Sequence, residues 1–158
     1  RRKLRRAEAA GEVRLERSTD PVADLDAFVD LHQKRWGDQG LFPPTPGGDQ
    51  SRAFVRRLFE LLGADGTFQL HFLVVAGRRI AAGAWFEDAD AWYLYNAGVD
   101  PEARELSPGV LMSAKAIEAA ILAGRRRFDY LRGDEPYKYE WGAVDEPIQR
   151  LLVVRTGG

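Results

Sequence analysis

Two stretches of the chain hold residues whose types and spacing can do chemistry. The first is Arg104-Glu105-Leu106-Ser107-Pro108-Gly109, which opens a run with apolar residues at 110, 111, 114, 117, 120, 121 and 122. That spacing is helical. Ser107 can cap the first free amides, Pro108 suits the first helical position, and Gly109 lets a ligand approach the backbone. A helix start presents unpaired N–H groups and the positive end of the helix dipole, so this one can hold a pyrophosphate. Equally, Ser-Pro-Gly can be no more than a good way to begin a helix.

The second stretch is Phe128-Asp129-Tyr130-Leu131-Arg132-Gly133-Asp134-Glu135-Pro136-Tyr137-Lys138, continuing to Trp141-Gly142. Asp129 falls within a strand pattern, where a carboxylate is costly unless paired or close to solvent. It reads either as a base or amine-orienting group, or as a structural acceptor for backbone amides or for Arg132. Arg132-Gly133-Asp134 follows at the carboxyl end of the strand, where open α/β sheets bind ligands, with Gly133 supplying the turn. Tyr137 and Lys138 begin a short helix. Lys138 reads as a point charge for a phosphate or carboxylate, or as a snorkelling surface lysine. Elsewhere, His32 and Trp36 lie one helical turn apart. His32 is a candidate base or a satisfied cleft-lining histidine, and Trp36 borders a loop from Gly37 to Asp49 that contains three prolines, long enough to line a binding pocket.

These residues need elements to place them. Residues 1–10 read as the end of a basic helix stopped at Gly11, a solvated face or an anionic contact surface. Val13 to Arg17 alternates as an outer strand does, and Asp20-Pro21 opens a helix with Leu25, Phe28, Val29, His32 and Trp36 on one face. A second amphipathic helix spans 49–62. Strands are expected at 67–76, 79–87 and 91–99, with turns at Gly77-Arg78 and Asp88-Ala89-Asp90 and a bulge at Asn96-Ala97-Gly98. The helix of 107–123, a strand at 127–131, a helical turn near 135–141 and a last strand at 148–155 complete the order. A helix between two neighbouring strands makes them a parallel crossover pair.

Composition narrows the function. A chain of 158 residues, 45% hydrophobic, buries one ordinary core. Its net charge of −1 argues against a general nucleic-acid binder. The absence of cysteine excludes disulfides, thiolate metal sites and a cysteine nucleophile. With two histidines and no carboxylates at ligand spacing, no metal is expected. No apolar run approaches the ~20 residues needed to span a bilayer.

Arg104-x-x-Ser107-x-Gly109 resembles the Arg/Gln-x-x-Gly-x-Gly/Ala loop with which the GNAT acyltransferase superfamily holds acetyl-CoA, with Ser107 where that family has its first glycine. The block from Phe128 to Gly142 resembles one branch more closely: the BioF2-like acetyltransferase domain associated with bacterial cellulose and exopolysaccharide synthesis, related in fold to the Fem peptidyltransferases. The resemblance spans residues 12 to 155. It implies an α/β fold with a mixed, mostly antiparallel sheet, helices on both faces and a splayed strand pair. The pantetheine arm of acetyl-CoA or another acyl-CoA would enter that splay, with Val99, Arg104, Ser107, Gly109, Val110 and Leu111 at the cofactor. It further implies Asp129 and Tyr137 as catalytic groups, Tyr137 returning a proton to the thiolate, and His32, Trp36, Arg132, Gly133 and Lys138 at the acceptor.

The implied reaction moves an acyl group to an amine or hydroxyl of a cell-envelope or polysaccharide-related acceptor, a small molecule or glycan, in the cytoplasm. Two alternatives stay open: a Fem-like transfer from aminoacyl-tRNA, and a GNAT-shaped binding or pairing domain without activity. The resembled branch carries a related first domain, so residues 1–10 would end a linker helix and 11–158 would form the C-terminal half of a longer protein. Thr156-Gly157-Gly158 would mark a trimmed end.

Overall fold

The structure is a computed structural model that describes residues 2–154. Helix α1 (Arg2–Ala10) packs through Leu4 and Ala7 and turns Lys3 and Arg5 to solvent. Strand β1 (Val13–Arg17) follows, then α2 (Leu25–Trp36), a short 3-10 turn (Gly37–Gln39) and α3 (Pro46–Leu62). Helix α3 starts three residues before the expected Asp49, because Pro46 at its first position fixes φ and wastes no amide. Three antiparallel strands come next: β2 (Phe68–Val75), β3 (Arg78–Glu87) and β4 (Ala91–Val99). The β2–β3 turn falls on Ala76 and Gly77 rather than on Gly77-Arg78. Both have positive φ, 50° and 77°, the twist that a two-residue hairpin needs.

A 3-10 segment (Pro101–Leu106) leads to α4 (Pro108–Leu122), β5 (Arg127–Asp129) and α5 (Pro136–Glu140). The sheet order is β1-β2-β3-β4-β5, antiparallel except where α4 crosses over and β5 joins β4 in parallel. Helices cover both faces. On one, α2 and α3 bury Phe28, Val55 and Phe59 against Phe68, Leu70 and Phe72 of the sheet; on the other, α1 and α4 bury Leu111, Met112 and Ala116 against Leu73, Trp85 and Trp92. All of β2 is buried, as a strand sandwiched between two helical layers must be. The expected α/β architecture, with its mixed sheet and helices on both faces, is therefore present.

Two expectations need correction. Strand β5 stops at Asp129, two residues short, because Leu131 turns into a positive φ of 55°. Residues 148–154 form no strand and lie exposed, with Ile148 and Leu151 open to solvent, while Arg155 to Gly158 lie outside the described residues. The β-branched sequence supplies strand propensity, but a strand needs a partner edge and none among the described residues meets it.

Candidate active site

Parallel pairing of β4 and β5 covers only Ala91 with Arg127, Trp92 with Phe128 and Tyr93 with Asp129. Beyond Tyr93 the two strands part, and a cavity of 890 Å³ fills the gap, bounded by α2, the 101–109 segment, α4 and α5. The expected splay is thus in place. The bulge that accompanies it lies one residue earlier than expected: Ala84 faces Asn96 while Trp85 faces Leu94, so Tyr95 is the extra residue. A bulge breaks the alternation of the strand. Tyr95 packs in the α2/α3 core and Asn96 reaches His32 on the same face, where an unbroken strand would have sent one of them to the α4 side.

The loop at 104–109 takes a form that its sequence does not announce. Ser107 occupies the left-handed region, φ 56° and ψ 55°, and its hydroxyl makes no capping hydrogen bond. Its carbonyl instead accepts from the amides of Val110 and Leu111, each at 3.1 Å, and its own amide donates to Arg104 at 3.0 Å. The backbone therefore adopts a glycine conformation at the position where the resembled loop has glycine. Gly109 is exposed, and a Cβ there would meet only Val99 at 3.9 Å, which leaves its amide approachable. Arg104, Ser107, Gly109 and Val110 line the cavity, as does Val99 across from them. Leu111 does not; it is buried beneath the loop and anchors α4.

Helix α2 sits tightly on β4. A Cβ on Gly98 would collide with the backbone of Leu31 and His32, so this glycine sets the close approach. His32, 1% exposed, places Nε2 3.0 Å from Asn96 Oδ1. Burial, reinforced by the charge of Arg35 and partly opposed by the bond to Asn96, lowers its pKa, so the ring is neutral near pH 7. Trp36 reaches the cavity rim and donates its indole N–H to the carbonyl of Ala97 at 3.1 Å.

On the far wall, Phe128, Tyr130, Arg132, Tyr137, Lys138 and Trp141 line the cavity. Asp129 does not. Alternation along β5 sends Phe128 and Tyr130 toward the cavity and Asp129 away from it, where its carboxylate accepts the amide of Leu131 at 2.7 Å. The structural-acceptor reading describes this geometry, and a base at the splay does not. Gly133 is also outside the cavity, at a φ of 108°. Its carbonyl and that of Arg132 each accept from Lys138 Nζ at 3.0 Å, and Glu135 pairs with the same ammonium at 2.7 Å. All three donors of Lys138 are engaged and the residue is 5% exposed, so it binds the Arg132–Glu135 turn together rather than presenting a free charge.

The sequence assigns no site role to Asn96 or Tyr130, and both line the cavity. Tyr130 packs edge-on against Phe128 and Tyr137, and its buried hydroxyl has no hydrogen-bond partner among the described residues. Burial pushes its pKa up to about 12, so it stays protonated. Burial also raises Tyr137. The signal for Tyr130 was available, since it stands two residues from Phe128 in the same strand pattern. Among the described residues, no group of three or more His, Cys, Asp or Glu side chains is placed to hold a metal ion.

A family model described as an acetyltransferase (GNAT) domain matches residues 1–139. No curated protein matches the chain in sequence. Among solved structures, a predicted acetyltransferase with acetyl-CoA from Clostridium acetobutylicum is 13% identical with a TM-score of 0.60, over 89% of this chain and 96% of that one. AAC(6')-Iy, in complex with the bisubstrate analogue CoA-S-monomethyl-acetylneamine, is 15% identical with a TM-score of 0.57, over 92% and 99%. An aminoglycoside acetyltransferase from an uncultured soil metagenomic sample, in complex with sisomicin, is 11% identical with a TM-score of 0.57, over 90% and 97%. At these identities the likeness is one of fold.

Proposed function

Because the chain belongs to the acetyltransferase (GNAT) domain family, we propose that its splayed-strand cavity binds acetyl-CoA and transfers the acetyl group to an amine or hydroxyl of a sugar-containing, cell-envelope or polysaccharide-related acceptor. The observation that carries the proposal is the continuity of the open β4 edge at Ala97–Val99 with the helix start at Ser107–Val110, both on one cavity. An extended pantetheine arm can lie along the edge at Val99 while its pyrophosphate meets the free amide at Gly109, the positive end of α4 and the guanidinium of Arg104. Arg104 is exposed and makes no ion pair among the described residues.

In this reading the acceptor nitrogen or oxygen attacks the thioester carbon and the C–S bond then breaks. The departing thiolate takes a proton from a tyrosine hydroxyl, Tyr137 or its neighbour Tyr130, and the proton that the acceptor sheds as its bond forms returns to that phenolate by way of solvent in the open cavity. Arg132, His32 and Trp36 stand at the acceptor side, with Lys138 and Gly133 holding the turn that carries Arg132. Leu111 supports the cofactor helix from below, and Asp129 supports β5. Trp36, Tyr137 and Trp141 line the cavity with 42%, 38% and 39% of their surfaces exposed, an aromatic rim suited to the apolar faces of sugar rings. Two of the similar structures hold amino-sugar ligands, sisomicin and an acetylneamine conjugate.

The polysaccharide-associated branch and a preceding related domain are parts of the same proposal and rest on the 128–142 block, while a cytoplasmic site of action rests on the reaction class. Calorimetric titration with acetyl-CoA, followed by thiol release on adding glucosamine-containing acceptors, tests it. Saturable binding that Arg104→Ala weakens about tenfold is expected. A folded protein that ignores acetyl-CoA at millimolar concentration would overturn the reading.

A further inference from the structure

Hydrogen-bond accounting around Ala97 assigns a role to Asn96. Asp100 donates its amide to Ile80 on β3 at 2.9 Å, so alternate residues of β4 face the opposite, open edge. Ala97 is one of these. Its carbonyl accepts from Trp36, and its amide donates 2.9 Å to Asn96 Oδ1. The backbone donor beside the bulge is therefore already engaged.

That bond fixes the Asn96 amide. A backbone N–H can only donate, so the atom facing it is the oxygen and not the nitrogen of the carboxamide. The same oxygen lies 3.0 Å from His32 Nε2, which must then carry the hydrogen. The ring is thereby set as the Nε2–H tautomer, and its buried Nδ1 has no partner among the described residues. With Oδ1 held from two sides, the Nδ2 hydrogens of Asn96 make no bond among the described residues, in a side chain that lines the cavity. One backbone donor is withdrawn from the open edge and a side-chain amide with two donors stands in its place.

We propose that Asn96 Nδ2 is the donor that binds the thioester oxygen and stabilises the oxyanion, and that His32 is a positioning residue that holds the Asn96 carboxamide in that orientation. The inference rests on the acyltransfer reading above. When the acceptor lone pair forms its bond to the thioester carbon, the C=O π pair moves to oxygen, where Nδ2–H meets it. The pair returns as the C–S bond breaks, the acceptor gives up its proton to solvent in the cavity, and the thiolate leaves to be protonated by the tyrosine. Preorganised donors of this kind are worth about 10²–10³ in rate.

Binding of acetyl-CoA carrying a ¹³C-labelled thioester carbonyl, followed by isotope-edited infrared spectroscopy, tests this without a known acceptor. In the wild type the bound carbonyl band moves to lower frequency than in water-free controls. Asn96→Ala and Asn96→Asp return it, and erase the preference for acetyl-CoA over CoA while CoA affinity stays within about threefold. His32→Phe gives part of the same loss, and His32→Gln, which keeps an N–H at the same reach, restores it. An unchanged band and preference in folded Asn96→Ala overturns the role of Asn96. Absence of acetyl-CoA binding by the wild type overturns the acyltransfer reading itself, so the two failures are told apart. Circular dichroism checks folding, and the Asn96 variants decide the question if the buried His32 variants do not fold.

Discussion

The indole nitrogen of Trp36 donates to the carbonyl of Ala97 across 3.1 Å, tying the last turn of α2 to the open edge of β4. The same ring faces the cavity, so one side chain both closes an edge group and forms the rim. Trp36→Phe keeps a ring and removes the bond. Because the site is half exposed, water can satisfy the freed carbonyl, and the loss in stability should stay near 1 kcal/mol in urea unfolding. Ligand contact should suffer more. The part of the tryptophan fluorescence that Trp36→Phe removes is expected to change on titration of the wild type with acetyl-CoA, and identical titration curves for wild type and variant would place the ligand away from Trp36.

Ser107 makes the opposite case, a residue that works through its backbone. Its left-handed conformation costs a side-chain residue about 1–2 kcal/mol, while its hydroxyl caps nothing. Ser107→Gly should therefore stabilise the protein by roughly 0.5–1 kcal/mol after the extra chain entropy of glycine is subtracted. Ser107→Ala should be near neutral. Thermal unfolding of the two variants separates the effects, since a clear loss in Ser107→Ala would show the hydroxyl to be the helix cap after all.

Lys138 should matter to the turn before it matters to any ligand. Lys138→Met leaves the carbonyls of Arg132 and Gly133 and the carboxylate of Glu135 without their common donor, a loss of about 2–3 kcal/mol. Hydrogen exchange should quicken across residues 131–138 and nowhere else. A variant with native exchange and native stability, but weakened acetyl-CoA binding, would restore the reading of Lys138 as a phosphate-binding charge.

The element order was legible because breakers and periodicity are local. Asp100-Pro101 and Ser107-Pro108-Gly109 punctuate the chain, and the apolar spacing between them changes from two to nearly four. What failed depended on partners distant in sequence. Asp129 left the cavity through the register of β5 on β4, which no residue near it encodes. Tyr95 became the bulge, and not Asn96-Ala97-Gly98, because of what β3 places opposite. Lys138 turned inward to carbonyls that only the fold of the preceding turn aligns. The run 148–154 carried strand propensity and found no edge. In the same way, Asn96 was visible as a residue, but its role needed the bulge that turns it onto the His32 face.

His71 gives the chain a predicted acid limit. It is 5% exposed in β2, stacked on Trp85 with ring centroids 4.2 Å apart, and its Nδ1 has no partner among the described residues. Burial first, and then the charge of Arg17, lowers its pKa to about 3. The unfolded chain binds this proton near pH 6.5 and the folded chain does not until about pH 3. Between those values the unfolded state holds more protons, so stability falls as pH falls. The full span would be worth on the order of 4–5 kcal/mol, a large part of the stability of an ordinary domain. His71→Phe preserves the stack and removes the titration. Urea midpoints measured from pH 7 to pH 4 should drop steeply for the wild type and less steeply for the variant. Parallel curves would mean that His71 takes up its proton in the folded protein at an ordinary pH, and that its buried stack is open to water.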